Sequence, residues 1–92
     1  MTKPAFRSEV SFDDKTGRPV AVYLRVRDGE VAETREVLGG VVYADYDTHG
    51  SLLGVELLGP CQSSVLDQIA EREPEPVKRF LAGSAPRELV PA

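Results

Sequence analysis

Two runs that alternate between apolar and polar residues, Val41 to Asp47 and Leu52 to Leu58, flank Thr48-His49-Gly50-Ser51. They constrain the fold more than any other part of the chain. Successive side chains of a strand point to opposite faces, so the pairing register decides which residues meet. A hairpin with His49-Gly50 at its tip sets Tyr46 opposite Leu53, Ala44 opposite Val55 and Val42 opposite Leu57 on one face. The other face then carries Tyr43 against Glu56, Asp45 against Gly54 and Asp47 against Leu52. One side is apolar and the other acidic, as in a strand pair that covers a core and meets water with its back.

The same stretch nearly spells an EF-hand-type calcium loop, with Asp45, Asp47, His49, Gly50 and Glu56 at positions 1, 3, 5, 6 and 12. Three features oppose that reading. His49 offers nitrogen where a hard cation wants oxygen. The flanks, Val41-Val42-Tyr43 and Val55-Glu56-Leu57, are β-rich rather than helical. Wrapping the segment round an ion would also break the pairing that buries Leu53 and Val55.

Further strands follow from the same alternation. Val20, Val22, Leu24 and Val26 share one face of Val20 to Arg27, and Ala21, Tyr23, Arg25 and Arg27 share the other. Asp28-Gly29 is a favoured hairpin pair, so Val31 to Leu38 is expected to return beside this strand. Two-residue and three-residue turns give different registers, and both stay open. Phe6 to Asp13 supplies a further strand, with a turn at Asp14-Lys15-Thr16-Gly17. After Gly59-Pro60, Ser63 or Ser64 is expected to cap a helix over Val65 to Arg72. Pro76 suits the first turn of a second helix, Val77 to Ala82, with Gly83 as its stop. The expectation is an α+β fold: an antiparallel β-meander of four or five strands, then one or two short C-terminal helices. Residues 1–83 form a single small domain, and 84–92 a loose tail.

Ninety-two residues leave room for one domain, and a 41% hydrophobic share suits a folded chain. Cys61 is the sole cysteine, which excludes an internal disulfide. With no apolar leader after Met1, a lone thiol points to a reducing, cytoplasmic setting. No apolar run reaches the roughly 18 residues of a membrane span. The net charge is −4 and no basic stripe exists, which argues against nucleic-acid binding by this chain alone.

In order along the chain stand Phe12-Asp13, Val22-Tyr23-Leu24-Arg25-Val26, and Gly29-Glu30-Val31-Ala32-Glu33-Thr34-Arg35-Glu36. Ala44-Asp45-Tyr46-Asp47-Thr48-His49-Gly50 and Gly54-Val55-Glu56-Leu57-Leu58 complete the series. As a set, from about Phe12 to Leu58, they resemble domain-of-unknown-function family 2283, a group of small prokaryotic proteins. The chain departs from the group at Val20-Ala21-Val22, where relatives carry an acid. The resemblance implies a small antiparallel sheet followed by helix, and no known activity. Some relatives are encoded beside small toxin-like proteins, which implies an antitoxin-like or partner-binding role.

The candidate binding residues are Asp45, Asp47, Glu56, Tyr43 and Arg25. In the hairpin register Asp45, Asp47 and Glu56 share a face, where carboxylates can hold a divalent ion or act as an acid-base pair. The plainer reading is a solvated polar face that discourages edge aggregation. Beside Asp45, Asp47 and Glu56, other chemistry-bearing residues have structural readings: His49 as a turn residue, Cys61 as a half-buried bystander. Arg25 and Arg27 can pair with Glu33 and Glu36 or face an acidic partner. No catalytic residue or cofactor is expected. A short helix pair leaves part of the apolar face uncovered, so the expected function is a non-enzymatic protein-interaction module. It would be homodimeric or bound to a small protein partner. The alternative is a small enzyme or divalent-metal protein using Asp45, Asp47 and Glu56.

Overall fold

The computed structural model describes residues 4–91. Strands β1 (Pro4–Phe12), β2 (Pro19–Arg27), β3 (Glu33–Leu38), β4 (Val42–Tyr46) and β5 (Leu52–Leu57) precede helices α1 (Ser63–Ile69) and α2 (Glu75–Gly83). The strands form one five-stranded antiparallel sheet, so the α+β class is as expected. Its order is β1-β2-β5-β4-β3, which departs from a simple meander at one point. No helix among the described residues is long and apolar enough to cross a membrane.

That departure corrects the hairpin expected at Asp28-Gly29. β2 pairs with β5, not β3, and residues 28–32 carry the chain to the far edge of the sheet. Burial decides between the two pairings. A central strand has neighbours on both edges, and β5 is suited to that place, with every residue but Glu56 buried. β3 carries Glu33, Arg35 and Glu36, and all six of its residues are exposed, as at an edge. The crossover passes Leu53, which is buried outside the main core cluster. Gly29, at φ +153°, allows that close passage: a Cβ there would stand 3.0 Å from Leu53 Cδ2.

The β4–β5 register is as expected at Val42–Leu57, Tyr43–Glu56, Ala44–Val55 and Asp45–Gly54. It shifts at the next step, where Tyr46 faces Leu52 and Leu53 is left without a partner, a β-bulge. Leu52 therefore joins the core in place of Leu53.

The inner face of the sheet supplies Val22, Leu24, Val26, Val42, Ala44, Val55 and Leu57 to the core, the helices supply Leu66, Val77 and Leu81, and Ala70 joins them from the C-cap of α1. Each buried Leu or Val contributes roughly 1.5–3 kcal/mol relative to exposure. The helix pair thus covers most of the apolar face, contrary to the expectation of leftover area; Val20, at the start of β2, stays exposed. The C-terminal segment also differs from a loose tail. Leu89 is buried in the core, its carbonyl accepts the Cys61 N–H at 2.8 Å, and Leu89 and Val90 close a turn on the Pro86 carbonyl. One apolar anchor at the right distance outweighs the local signal of Pro86 and Pro91.

Neither serine caps α1: Gln62 is the N-cap, without a side-chain hydrogen bond, and Ser63 and Ser64 lie inside the first turn. α2 starts at Glu75 with Pro76 in its first turn, and Ser84 rather than Gly83 is its C-cap. Two contacts tie the helical layer to the sheet. Phe6 of β1 stacks on Phe80 of α2 with ring centroids 4.7 Å apart. Arg27 Nη2 binds Glu73 Oε1 at 2.7 Å, with only 14% and 17% of the two side chains exposed, and Arg27 Nη1 donates to the Leu52 carbonyl.

Candidate functional site

The outer face of the sheet carries no helix, and the registers place its side chains in two rows. One row reads Glu9, Tyr23, Glu56, Tyr43, Glu36 across β1, β2, β5, β4 and β3. The second reads Arg7, Arg25, Gly54, Asp45, Thr34. Acids alternate with tyrosines in the first row, and basic residues occupy the β1–β2 half of the second.

The space above Gly54 organises this face. A Cβ on Gly54 would collide with the Tyr23 ring and hydroxyl, so Tyr23 lies over β5 where that strand has no side chain. Its hydroxyl reaches two strands away and donates to Asp45 Oδ2 at 2.9 Å. Thr34 Oγ1 of β3 donates to Asp45 Oδ1 at 2.6 Å. Both carboxylate oxygens of Asp45 are engaged, and one network links β2, β4 and β3 across the top of β5. Burial, together with the Asp45 carboxylate, pushes the Tyr23 hydroxyl pKa up to about 12.

Of the five residues proposed from the sequence, Asp45, Glu56, Tyr43 and Arg25 lie in these rows. Asp47 does not: its Oδ1 accepts the N–H groups of His49 and Ser51, each at 2.9 Å, and it builds the β4–β5 turn. Glu56 stands between Tyr23 and Tyr43 in the register. Tyr43 donates instead to Glu36 Oε2 at 3.2 Å, a bond that raises the Tyr43 pKa. Arg25 Nη2 donates to the Gly29 carbonyl at 3.1 Å, and its Nε, 4.0 Å from Asp28 Oδ1, has no hydrogen-bond partner among the described residues. Arg25 and Arg27 thus meet Asp28, Gly29 and Glu73, not Glu33 and Glu36, because β3 lies three strands away. Among the described residues, no group of three or more His, Cys, Asp or Glu side chains is placed to hold a metal ion. Burial raises the Cys61 thiol pKa, which disfavours the nucleophilic thiolate.

Tyr23 and Thr34 were not singled out by sequence reasoning. The available signal was a glycine inside the β-rich segment Leu52 to Leu58, since a strand glycine leaves room for an aromatic ring from a neighbour.

The free edge of β3 is the second distinctive surface. Glu33 and Arg35 pair on it at 2.7 Å, which holds the Glu33 carboxyl below its usual range. Arg35 also lies 4.4 Å above the Tyr46 ring. Val31, Val37 and Leu38 are 48%, 37% and 40% exposed along the same border. A bulge at Val37 interrupts the ladder to β4.

No curated protein and no solved structure matches this chain. Residues 21–59 match the family model described as Protein of unknown function (DUF2283), a segment that runs from β2 through β5 and leaves Phe12-Asp13 outside it.

Proposed function

We propose that this protein is a non-enzymatic protein-interaction module that docks another chain along the free edge of β3. The observation that carries this reading is a strand whose six residues are all exposed. Ordering backbone costs roughly 1–2 kcal/mol per residue, while a hydrogen bond returns a net 0.5–1.5 kcal/mol. A strand that buries no side chain gains little against that cost. A partner strand would add hydrogen bonds on the open side and cover Val31, Val37 and Leu38. The partner is a second copy or a small protein of the antitoxin–toxin kind that the family resemblance suggests. The metal or acid-base alternative ranks below this, because Asp45 uses both carboxylate oxygens on Tyr23 and Thr34, and Asp47 is drawn into the β4–β5 turn through its Oδ1.

The test places a photo-cross-linking residue at Val37, and at the somewhat more exposed Val20 as a control, in cells that encode the protein. Mass spectrometry then identifies the captured chain. The expected result is an intermolecular product from position 37 with no counterpart from position 20. Absence of a product at 37, or the same products at both positions, would count against edge docking.

A further inference from the structure

We infer that the chain docked on β3 is a second copy of this protein, paired antiparallel in a register centred on Thr34. This rests on the edge-docking reading and adds the identity and alignment of the partner.

Two identical sheet edges pair antiparallel about a two-fold axis normal to the sheet. Such an axis keeps each face on its own side, so the register must centre on a single residue facing its own copy. The possible centres in β3 are few. Centring on Glu33, Arg35 or Glu36 sets two like charges directly opposite, which is destabilising. Centring on Val37 sets Glu36 opposite Leu38 and Arg35 opposite Gly39, and centring on Leu38 sets them opposite Gly40 and Val41, so neither brings opposite charges together. Centring on Thr34 sets Glu33 opposite Arg35 of the second copy, and Arg35 opposite its Glu33, with Thr34 facing Thr34 between them. The strand overlap is Glu33 to Arg35, and beyond it Val31, which precedes β3, comes to the end of the second copy that carries Val37. Opposite charges meet twice, and exposed apolar residues lie at both ends. The two five-stranded sheets then form one continuous sheet of ten.

The other edge has a comparable pattern, Arg7-Ser8-Glu9, and is the natural competitor. Two features set it behind β3. Bulges interrupt the ladder of β1 with β2 at both ends, between Pro4 and Arg7 and between Ser11 and Phe12, whereas β3 has one, between Glu36 and Leu38, outside the Glu33–Arg35 overlap. Bulged edges resist further pairing. Of its two exposed phenylalanines, Phe6 is already stacked on Phe80 and Phe12 lies at the last position of the strand, beyond the second bulge.

Sedimentation equilibrium and native mass spectrometry of the purified full chain test the register. The wild type should dimerise. Arg35→Glu and Glu33→Arg should each weaken the dimer about tenfold or more, since each turns two attractive pairs into repulsive ones. An equimolar mixture of the two variants should restore a heterodimer of near wild-type affinity. Neither chain in that mixture can form the internal Glu33–Arg35 pair, so recovery reports pairing between chains and separates it from loss of folding. A wild type that stays monomeric, a dimer indifferent to both substitutions, or one lost only on Arg7→Glu would overturn the proposal. A monomeric wild type combined with cross-linking from Val37 to a different protein would overturn self-pairing and leave edge docking standing.

Discussion

Tyr23 owes its position to the missing side chain at Gly54, and its ionisation to what lies around it. A raised pKa means that the folded state holds the proton more tightly than the unfolded chain, whose tyrosines titrate near 10.0. The associated stability is complete below that value and is lost as the pH climbs through about 12. Alkaline titration followed by tyrosinate absorbance should therefore show a late step near 12. Tyr23→Phe should remove the step and flatten the loss of stability over that window, whereas Asp45→Asn should move the step down. Gly54→Ala tests the steric half of the arrangement. It should cost about 1–3 kcal/mol in denaturant unfolding, as overpacking does. The cost should shrink in a Tyr23→Ala background, where the added methyl has no ring to meet.

At the scale of elements, the β4–β5 pair was legible because its alternation puts Val42, Ala44, Val55 and Leu57 on one side and the turn at His49-Gly50 selects among the registers that do so. The bulge was not, since Leu52 and Leu53 are both apolar and either can serve the core. The partner of β2 was misread for a related reason. Asp28-Gly29 is a local signal, whereas the neighbour of β2 is chosen by the burial of β5, more than twenty residues away in the chain. The C-terminal segment shows the same limit: Pro86 and Pro91 suggest a tail, and only Leu89 contradicts them. Leu89→Ala should cost about 2–5 kcal/mol, the range for a buried leucine, as read by thermal or denaturant unfolding. A loss within a few tenths of a kcal/mol would mean that the segment is not docked as described.

For the molecule as a whole, the sheet has one clothed face and one bare one. The clothed face could be read from apolar alternation. The bare face could be read only as acidic, because its organising contacts join Tyr23, Asp45 and Thr34 from three separate strands. The strand order also divides the sheet into two locally connected parts, β1 with β2 and β3 with β4 and β5. Within each part, neighbours in space are neighbours in sequence. The two parts meet along the line where Val22, Tyr23, Leu24 and Arg25 face Leu57, Glu56, Val55 and Gly54. That line closes the longest loop in the sheet, residues 28–51, and so carries the largest single closure cost. Each part closes only short loops, so the joining of β2 to β5 is the expected slow step of folding, to be checked by φ-values at Leu24 and Val55. Substitutions at Leu24 and Val55 should therefore slow folding as well as lower the final stability, and an unchanged folding rate would count against this order of events.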